Sequence, residues 1–283
     1  MRARRRRFSH EGHTLVYDER GAGEKPVLLL PGLLFARTMH APLAEALAER
    51  GHRVLCLDLL GHGESDRPEE MWSYSMPAFG RQAIALLDHL EIDRAVVGGT
   101  SLGANAALEA AAIAPRRVRG LLVEMPVLDN ALLACALAFT PLLAALTFGA
   151  PLARLLAAGA QRVPRGGALL ADMLLDWVSQ DPKPSASVLQ GLFFGRTAPP
   201  REERRGMDQP ALVIGHPRDP IHPFSDSDML VRELPNARLV EATSILELWL
   251  TPDRLTSEIT SFVEDCFAAP ARRSAQRRRA ASA

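Results

Sequence analysis

The chain has 283 residues, 47% of them apolar, enough to bury one sizeable core and carry an inserted segment. Its 33 basic and 33 acidic side chains cancel and its isoelectric point is about 7.1, which excludes an overall field that would recruit nucleic acid or an acidic partner. Three cysteines, Cys56, Cys135 and Cys266, are odd in number, far apart and set among apolar neighbours. They read as reduced core thiols of a cytoplasmic protein, and with no CxxC or HExxH run the sequence implies neither a disulfide framework nor a metal site.

Both ends are basic, with Arg2 and Arg4 to Arg7 at the front and Arg272, Arg273 and Arg277 to Arg279 at the back. Arginine dominates throughout (Lys25 and Lys183 are the only lysines), so residues 1–7 and 269–283 read as solvated, disordered tails rather than tethers. No apolar run follows the first arginines, so the start is not read as a signal peptide. Residues 7–10 and 13–19 alternate about Glu11-Gly12 as the arms of a hairpin do. After Gly21-Ala22-Gly23 comes Pro26-Val27-Leu28-Leu29-Leu30, a continuous apolar run suited to a strand buried on both faces.

That run ends in Pro31-Gly32-Leu33-Leu34-Phe35, and a helix is predicted over 39–49, closed by Gly51. A strand over 52–57 runs into Asp58-Leu59-Leu60-Gly61-His62-Gly63-Glu64-Ser65, and residues 76–90 have helical period. Ala95-Val96-Val97 enters Gly98-Gly99-Thr100-Ser101-Leu102-Gly103, followed by a helix to about residue 114 and a buried strand over 118–123. Residues 127–202 break the rhythm and read as apolar helices interrupted by Pro and Gly. A strand over 210–215, a helix over 225–234, a strand over 237–241 and a closing helix over 252–267 restore it. Strands alternating with helices predict a mostly parallel sheet covered on both faces.

Within the irregular segment, residues 131–153 carry no charge and could cross a bilayer by length alone. Pro141, Gly149 and Pro151 interrupt the run, and it lies between two segments of one sheet. It is therefore read as an apolar cap over a site for lipophilic substrates, without stable membrane insertion.

Gly99-Thr100-Ser101-Leu102-Gly103 is a GxSxG pentapeptide in the context that gives it meaning, strand then sharp turn then helix. The small residues let a strained serine sit at the apex while neighbouring chain packs closely. The helix start behind it favours developing negative charge.

Four features in order now resemble the α/β-hydrolase family over nearly the whole chain outside the tails and cap. Leu30-Pro31-Gly32 resembles the oxyanion strand end, with Pro31 where relatives often have His. Asp58 to Ser65 resembles the D-x-x-G-x-G-x-S loop, Gly99 to Gly103 the nucleophile elbow, and Gly215 to Pro223 the segment carrying the catalytic acid. The resemblance implies an α/β-hydrolase fold, with a twisted sheet between helical layers, a core over 8–126 and 203–268, and a helical cap over 127–202. It implies Ser101 as nucleophile, the amides of Leu33 and Leu102 as oxyanion donors, each typically worth about 3 kcal/mol, and Asp219 as the acid that orients a histidine. The serine argues against relatives that use an aspartate nucleophile on halides or epoxides.

The family's histidine follows the last strand, about seven residues before a helix-opening Pro. Counting back from Pro252, that pair is Ser244-Ile245, and no histidine occurs after His222. A serine without a base is a poor nucleophile. His222, three residues beyond Asp219, is the preferred replacement, ahead of His216, His40 and the carboxylates Glu124, Glu241 and Glu247. The remaining histidines, His10, His13, His52, His62 and His89, sit at structural positions. The expectation is acyl transfer from a small apolar ester or related carbonyl compound, with no cofactor and no nucleic acid partner. The alternative is a catalytically weak or inactive relative that binds an apolar ligand or a partner.

Overall fold

The computed structural model describes residues 3–268. Eight strands form one sheet: β1 (Arg4–His10), β2 (His13–Arg20), β3 (Lys25–Leu30), β4 (His52–Asp58), β5 (Ala95–Thr100), β6 (Val118–Glu124), β7 (Ala211–Gly215) and β8 (Ala237–Glu241). Their order across the sheet is β1-β2-β4-β3-β5-β6-β7-β8, antiparallel at β1–β2 and β2–β4 and parallel elsewhere. The helices are α1 (Ala41–Glu49), α2 (Met76–His89), α3 (Leu102–Ile113), α4 (Leu132–Phe148), α5 (Ala150–Gln161), α6 (Leu169–Val178), α7 (Pro182–Phe194), α8 (Arg201–Arg205), α9 (Phe224–Glu233), α10 (Glu247–Leu250) and α11 (Asp253–Ala268).

The apolar strand runs divide with the period of two that a pleated strand imposes. Leu28, Leu30, Leu55, Leu57, Val97 and Val213 join one buried cluster, shared with α2, α3 and α9. Their neighbours Val27, Leu29, Val54, Cys56, Val96 and Leu212 join a second, shared with α1 and α11. Continuous Leu/Val runs are what a sheet covered on both faces requires. Cys56 and Cys266 are buried and Cys135 half-buried, all as free thiols, and burial pushes the first two up to about 12.

Two boundaries differ from the sequence reading. Arg4 to Arg7 are not a disordered tail: they form the outer half of β1, laddered from Arg4↔Glu19 to Arg7↔Val16. Arg5 pairs with Glu64 at 3.0 Å and Arg6 with Glu19 at 3.2 Å. A run of charge read as a solvated tail is here the outward dressing of an edge strand, which deters pairing with other chains. The second tail, 269–283, lies outside the described residues. The division drawn at 202 cuts α8, whose Arg201 and Arg204 share Glu233 of α9 at 2.7 and 2.6 Å and so tie that helix to the core.

The helices between β6 and β7 are anchored on α3, the helix behind Ser101. Buried Asn105 donates through Nδ2 to the carbonyls of Val127 and Thr197, at 2.7 and 2.6 Å, and accepts from the Val127 amide at 3.1 Å. One amide thus holds the entry and the exit of the insertion. Glu109, one turn on, pairs with Arg196. Asp226 accepts the amides of Leu128, Asn130 and Ala131, satisfying N–H groups where the insertion begins. In a helix otherwise built of Ala, Leu, Ile and Gly, the polar pair Asn105 and Glu109 at i, i+4 was the signal in the sequence for this anchorage.

Candidate active site

Strand β5 ends at Thr100 and α3 begins at Leu102, so the chain reverses over Ser101 alone, at φ 56° and ψ −114°. A non-glycine residue held there costs about 1–3 kcal/mol. The surroundings impose it: the Ser101 amide donates to the Glu124 carbonyl at 2.8 Å, and the Asn105 amide donates to the Ser101 carbonyl at 3.0 Å. The flanking glycines have a steric reason. A Cβ on Gly99 would lie 2.3 Å from the Leu30 carbonyl oxygen, and one on Gly103 2.1 Å from the same atom. The elbow therefore sits hard against the end of β3, with Leu30 paired to Gly99 in register.

That contact brings the Pro31–Phe35 turn beside the serine. Leu34 lies at φ 61° and the Phe35 amide closes the turn on the Gly32 carbonyl at 3.0 Å. Leu33 is at the tip of this turn. Leu102 is the first residue of α3, where backbone N–H groups have no partner within the helix. The Asp58-to-Ser65 loop supports the same side. Buried Asp58 accepts from the Arg37 amide at 2.6 Å, from Arg37 Nη1 at 2.5 Å and from the Glu64 amide at 2.8 Å, while the Ser65 hydroxyl donates to the Asp58 carbonyl at 2.6 Å. Gly63, at φ 48°, is required because a Cβ would fall 2.1 Å from that carboxylate. The motif is thus a brace for the segment after the Pro31–Phe35 turn. His62 belongs to it, bonded to the Leu60 carbonyl and lowered by burial to about 4.

Opposite the serine, β7 ends at Gly215 and the chain turns through Asp219 to His222. Asp219 Oδ1 accepts the amides of Ile221 and His222 at 2.8 and 2.9 Å, and Oδ2 accepts from His222 Nδ1 at 2.8 Å. A carboxylate has no proton to give, so Nδ1 carries the hydrogen and Nε2 is left as an acceptor. The Ser101 hydroxyl lies 2.8 Å from that Nε2. Burial pushes the Asp219 carboxyl up, but the hydrogen bond and charge of His222, with the two amides, outweigh it and hold the group below its usual value. The imidazole is therefore oriented by an ionised carboxylate of its own loop, across 121 residues of sequence from the serine.

The histidine position of the family is filled otherwise. The Ser244 carbonyl accepts from His216 Nδ1 at 2.9 Å, Ile245 is partly exposed, and Glu247 gathers the Thr243 amide and hydroxyl together with Arg254. Arg254 above all, then the Thr243 groups, hold Glu247 down at about 2 despite burial. His40 is buried and bonded to the Leu30 carbonyl at 3.0 Å, so it braces β3 from below.

His216 and Glu124, weighed in the sequence as spare catalytic groups, pair with each other instead. Their Nε2 and Oε1 stand 3.4 Å apart, both residues are buried, and Glu124 Oε2 accepts from the Thr100 hydroxyl at 2.6 Å. The pair joins the ends of β5, β6 and β7 to the Ser244 loop. Burial opposes charge on His216, but Glu124, the Ser244 carbonyl and Asp219 prevail and raise it. A raised imidazole contributes its stability fully below the unfolded value, about 6.5, and loses it as pH climbs through the folded value. Breaking a buried pair typically costs about 3–5 kcal/mol. His216→Asn is therefore expected to lower the urea-unfolding free energy by that order at pH 5.5 and by clearly less at pH 9. An equal loss at both pH values would mean the pair is not ionic.

Ser101, strained between the end of β5 and the start of α3, thus faces an imidazole bound to a carboxylate. Residues 25–243 match the model for the alpha/beta hydrolase fold, and the chain belongs to that family. It is similar to a hydrolase from Pseudomonas aeruginosa PA01, with a TM-score of 0.76 and 24% identity, covering 92% of this chain and 98% of that one. It is similar to the enol-lactonase from Burkholderia xenovorans LB400, with a TM-score of 0.75 and 25% identity, covering 92% of this chain and 100% of that one. In sequence it is 38% identical over 108 residues to the dihydrolipoyllysine-residue acetyltransferase component of the acetoin cleaving system of Pseudomonas putida, a match covering 36% of this chain and 26% of that protein. The chain thus spans about a quarter of that relative's length.

Proposed function

We propose that the protein is a serine hydrolase acting by acyl transfer on an apolar ester or lactone, with Ser101, His222 and Asp219 as its triad. The observation that carries this reading is the unbroken contact from Ser101 Oγ to His222 Nε2 and from His222 Nδ1 to Asp219 Oδ2, both 2.8 Å. Ser101 Oγ attacks the carbonyl carbon as its proton passes to His222 Nε2. The amides of Leu33 and Leu102 hold the resulting oxyanion. Collapse expels the alcohol, which leaves with the proton from His222. Water then attacks the acyl-serine and gives a proton to His222, and as the bond from the acyl carbon to Ser101 Oγ breaks that proton returns to Oγ, which frees the acid and restores the site.

The helical insertion supports an apolar substrate, and we read it as the cap of the site. Burial above all, then Asp226 and Asp219, pushes the thiol of Cys135 on its first helix up to about 11. The helix offers Leu, Ala and Phe and no charged group along its length. The enol-lactonase similarity is consistent with cleavage of an acyl C–O bond. Steady-state hydrolysis of p-nitrophenyl esters of increasing chain length tests the proposal. Saturable turnover rising from acetate to medium-chain esters is expected, since each buried methylene contributes about 0.8 kcal/mol. Rates at the buffer background across the series would overturn it.

A further inference from the structure

The outer face of the insertion is an apolar surface that nothing among the described residues covers. No residue of α4 is buried, and Leu133, Leu137 and Phe148 are exposed to 71%, 68% and 87%. The stripe continues onto α5 through the exposed Leu152, Leu155 and Leu156. Contiguous apolar surface of this kind marks a docking site. Its chemistry points to one occupant.

A protein partner needs polar groups at the contact, about one hydrogen bond per 100–200 Å². The stripe on α4 has only two hydroxyls, Thr140 and Thr147, and Thr147 already donates to the Leu143 carbonyl at 2.7 Å. Acyl chains ask for no hydrogen bond. The charge around the stripe is one-sided as well: from residue 130 to 171 the sequence has Arg154, Arg162 and Arg165 and no Asp or Glu, although over the whole chain the charges balance. Arg165 pairs with Asp176, whereas Arg154 and Arg162 are exposed beside the apolar stripe with no acidic partner among the described residues. A second copy docked on the same face by two-fold symmetry would set these arginines against their own copies. Leu and Phe on one side with unpaired arginines at the border is the pattern of a helix lying in a lipid interface.

We infer that the α4–α5 face docks reversibly on an anionic lipid surface, holding the insertion against the bilayer without spanning it. The inference stands apart from the catalytic reading, since it uses none of the triad. It is tested by co-sedimentation of the full chain with phosphatidylcholine vesicles, with and without phosphatidylglycerol, beside gel filtration of the same samples. The wild type is expected to pellet with the phosphatidylglycerol vesicles and to be released by raised salt. The Arg154→Glu/Arg162→Glu variant should lower the partition coefficient at least about tenfold. Leu133→Glu/Leu137→Glu should abolish binding, with both variants keeping the wild-type melting transition. Failure of the wild type to pellet, or binding that the leucine variant leaves unchanged, would overturn the inference. So would a wild-type dimer that becomes a monomer in the leucine variant without any vesicle binding, since the face would then belong to a second copy. Vesicle binding by a protein without esterase turnover would remove the catalytic proposal and leave this one standing.

Discussion

Ser101→Ala is expected to reduce ester turnover by about a millionfold, to the residual level that binding and an oxyanion site alone provide, about a thousandfold over water. The size of the effect follows from the chemistry. With the hydroxyl removed there is no acyl-enzyme, and water must attack directly without a positioned nucleophile. The fold should not suffer. Ser101 holds its place through backbone bonds to Glu124 and Asn105, which alanine retains. Alanine at φ 56° is strained much as serine is, so stability should move by well under the few kcal/mol that a core defect costs. The check is kcat for a medium-chain p-nitrophenyl ester beside a thermal melt. A variant that folds normally and still turns over within tenfold of wild type would show that the serine is not the nucleophile.

His222→Ala is expected to cost nearly as much, and the double variant Ser101→Ala/His222→Ala no more than either alone, because a nucleophile and its base act as one unit. Asp219→Asn should cost about ten-thousandfold. An amide at that position presents an N–H as well as a carbonyl and no longer enforces a hydrogen on Nδ1, so Nε2 loses its acceptor role toward Ser101. Asp219 also holds the loop by accepting two backbone amides. Its replacement is therefore expected to lower the melting temperature as well, where the His222 variant would not. Full activity in His222→Ala would sink the relocated base, and His216 or a carboxylate would then have to be sought.

Much of this was legible in the residues. Val96-Val97-Gly98-Gly99 followed by a serine and another glycine specifies a buried strand, a tight apex and a helix, since only small residues allow β3 and α3 to meet at van der Waals distance. β8 falls on the residues predicted for it, and α2 and α11 within one residue at each end, because their periodicity and caps are local properties. The arginines of β1 were misread for a related reason. Charge density says how a segment prefers to be solvated, but the ladder to β2 depends on a partner strand that the segment does not contain. α10, at Glu247–Leu250, was not foreseen at all: it is one turn long and held by the Thr243 and Arg254 contacts of Glu247, with no pattern of its own to read.

What the sequence determined by itself was the alternating order of strands and helices, the serine at the apex, and the absence of any histidine where relatives carry theirs. It also narrowed the candidates for a base, because a residue three positions from Asp219 on one loop needs no long-range folding to meet it. The tertiary structure decided the rest. Whether His222 Nε2 faces Ser101 depends on β5, β6 and β7 lying side by side in register, and on Asp219 bonding Nδ1 so that the ring turns outward. Likewise His216 and Glu124, ranked below His222 in the sequence, are committed to each other. Distances of a few ångströms between residues a hundred positions apart are set by packing of the whole sheet. Local propensity along the chain carries no record of them.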